Sequence, residues 1–460
     1  MIVQENAAWV EQQFSACDLG DSRRTERLQK VAAEMLGRPE ASLPAQNSEW
    51  KDLKAAYRLF DRPEVTHAAI CQPHWEQTRR TPPGRYLLIS DTTDINHYSH
   101  AATTGLGMLG DGQGRGMQLH HCLVYDCDRR QVIGQAGGML FYRSHQPKKE
   151  SRAARLKRIR EGVYWGQVVD QVGPPPPECQ WIHVFDRGGD NFESLCHLKL
   201  SGCDWVVRAA QLHRNVRDAA GDMTTLSEVV GAAKLIGSYS LHLRARPKQP
   251  ARVAQMNVSV ASVKFVPPSH RSPYVRQCGV DAIAMRVVVV QEVNAPAGVE
   301  PIRWVLLTSL PVESFAEAWE VIGYYEQRWL IEEYHTVIKS GCSVEKHALR
   351  TAARLEPLIG LISVVGVRLF QLKLLGRHAQ ETPAKGHVPS NWLKYLKLLR
   401  PQLCVEKLTV YEFFRELAKL GGFLARKGDG EPGWLTIWRG YRKLQALLDA
   451  AALLSRKTTH

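Results

Sequence analysis

With 460 residues, 44% hydrophobic and 23% charged, the chain has ordinary globular composition. That excludes collagen-like, wholly disordered and miniature disulfide-stapled proteins, and at roughly 100–200 residues per domain it leaves room for two to four domains. Sixty Lys and Arg against 46 Asp and Glu give +14 at pH 7. This surplus suits a polyanionic partner, because cations that neutralise phosphates release condensed counterions; plain solubility charge explains it equally well.

Ten cysteines are scattered without a CxxC pair, so zinc-ribbon and thioredoxin chemistry have no support. Together with an N-terminus that lacks a basic, apolar leader, this fits a reducing cytosol. The longest apolar stretch, Leu358 to Val367, stops at Arg368. It falls far short of the ~20 residues that span a bilayer. The expectation is a cytoplasmic protein without a membrane partner.

In chain order, residues 1–72 read as helical, with Leu28, Val31, Ala32 and Met35 at helical spacing. From Arg85 the pattern changes. Tyr86 to Ile89 predicts a short buried strand ending at Asp91. Gln118 to Tyr125 and Val132 to Tyr142 predict two more strands around an Asp-Arg-Arg turn. A basic helix over about 150–170 follows, and residues 142–160 carry eight Lys or Arg against Glu150 alone, a run suited to phosphates. Pro174 to Pro177 break the chain before a fourth strand, Trp181 to Phe185, which ends at Asp186. Asp204 to Ala209 predicts a fifth. The order is that of an α/β core with a mixed sheet.

Residues about 225–310 read as a β-rich insertion, with Val253, Val258, Val260, Val263 and Val287 to Val290 as its β-branched strands. Its last strand, Trp304 to Leu307, leads into one long helix that a Ser314–Glu317 capping box opens and Gly341 closes. Helical structure then predominates. Residues 371–460 hold 16 basic and 7 acidic residues. Within them Trp434, Trp438, Tyr441, Leu444 and Leu448 form a helical stripe too apolar for solvent, which predicts that residues 432–454 pair two subunits.

Two acids thus end the first and fourth predicted strands. A right-handed crossover through the 150–170 helix would set those strands parallel and adjacent, placing Asp91 and Asp186 together at the sheet's carboxyl edge. Close carboxylates repel unless a cation lies between them, so the pair suits a hard divalent ion. On the long helix, Tyr325, Arg328, Glu332 and Lys339 share an arc of about 60° at ~100° per residue. Leu330, Ile331, Tyr334, Val337 and Ile338 cover the opposite, core-facing side.

Tyr325-x2-Arg328-x3-Glu332-x6-Lys339 resembles the YREK signature of bacterial DDE transposases of insertion-sequence family four, the group that includes transposon five. Asp91-Thr92-Thr93 and Asp186-Arg187 resemble the first two acids of that triad. Asp18-Leu19-Gly20-Asp21 with Arg23, Arg24 and Arg27, and Ala55-Ala56-Tyr57-Arg58, resemble the family's N-terminal DNA-binding region. Gly421-Gly422-Phe423-Leu424 and Gly428-Asp429-Gly430 with Trp434 and Trp438 resemble its C-terminal region.

The resemblance implies an RNase H-like mixed-sheet core over 73–372 interrupted by the β-rich insertion, a helical end-binding domain over 1–72, and a helical dimerisation region over 373–460. It implies that Asp91, Asp186 and Glu332 are catalytic and hold two magnesium ions, with manganese able to substitute. Tyr325, Arg328 and Lys339 would contact DNA phosphates, and Arg23, Arg24, Arg27 and Arg58 would recognise DNA ends. Trp304 would stack on a flipped base. The implied partners are double-stranded DNA, as terminal inverted repeats and target, and a second copy of the chain, in a bacterial, nucleoid-associated setting. An RNase H-like nuclease and a non-catalytic transposition regulator are the alternatives.

Two weaker patterns carry nothing. Gly105-Leu106-Gly107-Met108-Leu109-Gly110 matches a dinucleotide fingerprint, but a strand follows it, so there is no helix N-terminus to hold a pyrophosphate. His120 and His121 alternate across a strand and cannot face one metal.

Overall fold

A computed structural model describes residues 6–47, 49–110, 112, 114–143, 149, 151, 161–243, 250–378, 380–426 and 428–457. Of the basic run, Arg143 and Lys149 fall within it; Lys148, Arg152, Arg155, Lys157, Arg158 and Arg160 lie outside the described residues.

The chain opens with helices α1 (Asn6–Phe14), α2 (Ser22–Gly37), α3 (Leu43–Gln46), α4 (Trp50–Leu59) and α5 (His67–Arg79). Asp21 caps α2 by accepting from the Arg23 amide, and Leu28, Val31, Ala32 and Met35 form its buried stripe, as their spacing predicts. Strands β1 (Gly84–Asn96), β2 (Gly107–Leu109), β3 (Gly114–Asp126) and β4 (Gln131–Phe141) follow, then α6 (Glu161–Val172) and β5 (Cys179–Phe185). The segment continues through α7 (Phe192–Ser201) and β6 (Asp204–Arg208).

Two short strands, β7 (Asn215–Arg217) and β8 (Met223–Thr225), precede the insertion, which supplies α8 (Leu226–Gly231), β9 (Lys234–Leu243) and β10 (Arg252–Phe265). It closes with α9 (Pro273–Gln277), β11 (Ile283–Glu292) and β12 (Arg303–Thr308). Because β12 pairs antiparallel with β6, these strands extend the central sheet instead of forming a separate one. The sheet runs β2-β3-β1-β5-β6-β12-β11-β10-β7-β8, with β4 on β3 and β9 on β10. Only β1–β5 and β5–β6 are parallel, so the sheet is mixed as expected.

Alternation along β1 sends Leu87 and Ile89 to one core and Tyr86 and Leu88 to another, so both faces of the sheet are covered. Against the first face α5 packs closely on β4. A Cβ on Gly134 would stand 2.1 Å from Thr78 Oγ1, so only glycine admits the helix there.

The rest is helical: α10 (Phe315–Glu326), α11 (Trp329–Thr336), a π turn (Val337–Gly341), α12 (Ala352–His378), α13 (Ser390–Leu399), α14 (Val410–Leu420) and α15 (Trp434–Lys457). Two sequence expectations change here. The long helix after Pro311 keeps its Ser314–Glu317 capping box but is interrupted at Gln327–Arg328. The apolar stretch around Leu358 belongs to a helix whose residues Ala352–Leu375 are long and apolar enough to cross a bilayer, with 89% of the most apolar window buried. It packs on α5, β4 and α14 as the central core helix. A helix apolar on every side needs burial all round, and here protein supplies it. The helix also crosses the boundary expected at residue 372.

The stripe on α15 packs within the single chain. Trp438, Tyr441 and Leu444 are buried within the chain, and Leu448 packs partly buried on the same core. Trp438 stacks on Tyr441 at 4.7 Å, Tyr441 meets Trp392 of α13 edge-on at 5.0 Å, and its hydroxyl hydrogen-bonds Asn6 Oδ1 at 2.7 Å. The periodicity demanded a buried face, and within the chain α13, α14 and α1 pack against it.

Candidate active site

β1 and β5 pair in parallel up to Ile89 and Val184. Two residues further on each strand stand Asp91 and Asp186, so the ladder brings the two acids level. Asp186 leaves β5 as predicted and caps a 3-10 turn, its Oδ1 accepting from the Gly188 amide at 2.7 Å. Asp91 is not at a strand end. β1 continues to Asn96 because β3 keeps pairing with it after β5 has stopped, setting Asp91 opposite His121.

Asp91 is held tightly. Its Oδ1 accepts from the Thr92 amide at 2.7 Å, and Thr92 Oγ1 lies 2.7 Å from Nδ1 of the buried His120. His121 points elsewhere, toward His335 and Ser363, as strand alternation requires. Burial, reinforced by the Asp186 carboxylate, pushes Asp91 up to about 7, against the pull of the Thr92 amide and Arg328.

Glu332 arrives from α11. Through the interruption the helix tightens into i→i+3 bonds: Arg328 to Tyr325, Leu330 to Gln327 and Ile331 to Arg328. Arg328 keeps its place beside the acids. Its Nη1 donates to Asp91 Oδ2 and to Glu332 Oε1, both at 3.2 Å, and Nη2 adds a second 3.2 Å bond to Glu332. Three segments more than 90 residues apart in the chain thereby converge. The oxygens are the hard donors a divalent cation selects. Among the described residues, however, no three acidic, histidine or cysteine side chains are arranged to hold an ion. Two of the three acids, Asp91 and Glu332, meet instead at the Arg328 guanidinium.

The other members of the predicted helical face differ in exposure. Tyr325 is only 5% exposed and sits edge-on to Trp304, with ring centroids 5.2 Å apart. It supports the indole from inside and lies close enough to Arg328 to help raise its pKa. Lys339 lies half-buried in the π turn, near enough to His335 to help depress its pKa. Trp304 lines a cavity of about 480 Å³ with Arg187, Arg208 and Arg303. Since Arg187 directly follows Asp186, this cavity adjoins the acids. Sequence reasoning missed Arg208 and Arg303, and also Trp329, a 62% exposed indole next to Arg328. The signal for Trp329 was an aromatic residue on the charged side of the helix.

Among the predicted end-recognition residues, Arg23 and Arg58 are exposed, with Arg23 paired to Asp21 at 2.7 Å. Arg24 pairs with Glu64 and bonds the Leu19 carbonyl. Arg27 pairs with buried Asp52 at 2.7 Å, beside Lys30 at 2.8 Å.

Residues 6–65 match the family described as Transposase DNA-binding, and residues 364–458 match Transposase Tn5 dimerisation domain. Both ends of the chain are similar to those of Tn5-like DNA transposases. The mixed-sheet core between helical ends accords with that architecture. The first match makes DNA a partner of this chain and the second makes a second copy of it another. The dimerisation match begins inside α12, so the central core helix is shared between the two regions.

Proposed function

We propose that the chain is a cut-and-paste DDE transposase of insertion-sequence family four, in the YREK branch, acting on terminal inverted repeats. The observation that carries this reading is Arg328 tying Asp91 to Glu332 beside Asp186. Asp91, Asp186 and Glu332 would hold two magnesium ions, or manganese. When bound, these supply an activated attacking oxygen and stabilise the leaving oxygen of an in-line displacement.

The chain's own residues do the rest. Arg328, a planar fork, and Lys339, a point charge, bind phosphates next to the scissile bond. In the first step water oxygen bonds to phosphorus and the 3′-oxygen departs with a proton. In the second the freed 3′-hydroxyl oxygen bonds to a phosphorus of the opposite strand, whose own 3′-oxygen departs with the proton, closing a hairpin. That geometry needs a base out of the stack, and Trp304, braced by Tyr325, offers it a platform. Arg187, Arg208 and Arg303 neutralise the bent backbone.

The test incubates purified protein with duplex terminal repeats and magnesium and resolves products on denaturing gels. Wild type should give nicked, hairpin and resolved ends, while Asp91→Ala, Asp186→Ala and Glu332→Ala each give none yet still shift end DNA. Substantial cleavage by any of the three removes that residue from the metal site.

A further inference from the structure

Arg328 sits between two of the three acids, Asp91 and Glu332, with Asp186 beside Asp91. Its side chain is 17% exposed, and its nitrogens contact one oxygen of Asp91 and one of Glu332. A guanidinium there relieves the repulsion that would otherwise build between carboxylates, so DNA-free protein already has a cation at the junction. An entering divalent ion must displace it. Arg also prefers bidentate contact with phosphate, whose oxygens match its fork. A DNA phosphate next to the acids therefore competes for the same guanidinium.

We propose that Arg328 is a latch: it occupies the metal position in the free protein and yields it when a DNA phosphate draws the guanidinium away. DNA binding and metal loading then become mutually reinforcing, and by linkage manganese must tighten DNA binding by the same factor that DNA tightens manganese. The free enzyme stays unloaded and does not cut. This rests on the metal-binding reading of the three acids given above.

The test titrates manganese into chelator-stripped protein and measures free ion by electron paramagnetic resonance, without recourse to activity. R328Q should bind manganese roughly tenfold or more tightly than wild type in the absence of DNA. A duplex carrying the terminal repeat should raise wild-type affinity by a larger factor than it raises that of R328Q. R328K, which keeps the charge but loses the fork, should fall between, and it reports on the latch if R328Q folds poorly. Equal manganese affinity in wild type, R328Q and R328K overturns the latch. D91A separates the two readings, because it should abolish tight manganese binding in both the wild-type and R328Q backgrounds. Wild-type-like binding by D91A would sink the metal site itself.

Discussion

Trp304 meets Tyr325 edge-on, ring centroids 5.2 Å apart and planes at 70°, so a half-buried indole on the last insertion strand is braced from α10, the helix that leads into Arg328 and Glu332. Edge-to-face pairs are worth about 0.5–1.5 kcal/mol beyond burial. If the indole stacks on an extruded base, Trp304→Ala slows hairpin formation by about five- to hundredfold and nicking much less, since stacking returns roughly 1–3 kcal/mol per base. Tyr325→Leu should reproduce the effect with a smaller factor. A time course resolving nicked from hairpin ends decides it, and equal slowing of both steps would make Trp304 structural.

The N-terminal arginines should divide by partner. Arg58→Ala and Arg23→Ala remove exposed charge, so they should weaken end binding and lower its salt dependence by about one counterion each. Arg27→Met removes a partner of buried Asp52 and should lower the melting temperature as well as weaken binding. Gel shifts at two salt concentrations, with thermal melts alongside, separate the two kinds. Wild-type end binding by Arg58→Ala would exclude it from recognition.

Gly440 allows α15 to lie against α14. A Cβ there would stand 1.6 Å from the Leu417 carbonyl oxygen, and one on Gly421 would stand 1.8 Å from that of Thr436. Backbone cannot yield as a flexible side chain can, so Gly440→Ala should cost about 3 kcal/mol or more and impair subunit pairing. Thermal melting and light scattering on the DNA complex provide the measurement; an unchanged melt would show that the two helices can separate without cost.

Acid should destabilise the protein well above the carboxylate range. Burial lowers His120, His183 and His335 to about 3, from an ordinary value near 6.5. The unfolded chain takes up these protons first as pH falls, so the stability from keeping them neutral is present above about 6.5 and drains toward 3. The melting temperature should fall by about 5 °C or more between pH 7 and pH 5. A flat profile over that interval would contradict their burial.

Asp91 carries the opposite sign. Its folded value near 7 lies above the ordinary value, so stability from its protonated form is present below about 4 and lost as pH rises through 7. In metal-free buffer Asp91→Asn should therefore raise the melting temperature by about 2–4 °C at pH 8, with the gain vanishing near pH 4. A gain that persists at pH 4 would point to some other cause.

Much of the site was legible before any coordinates because its signals are local. Alternation and β-branching mark the strands, the Ser314–Glu317 box starts the helix, and Asp186 sits where its strand's apolar run stops. Strand ends and helical spacing singled out the acids and the arginine, and the family resemblance gave them their expected roles. What spacing could not supply was anything that depends on a partner distant in the chain. β1 runs past Asp91 because β3, formed some 30 residues later, goes on pairing with it. Tyr325 turns inward because the helix tightens at Arg328 and Trp304 waits on the neighbouring strand. Arg27 is held by Asp52, 25 residues away. The α15 stripe shows the limit most plainly: its period required burial, but hydrophobic burial has no direction, and only the packed chain decided that α13, α14 and α1 provide it.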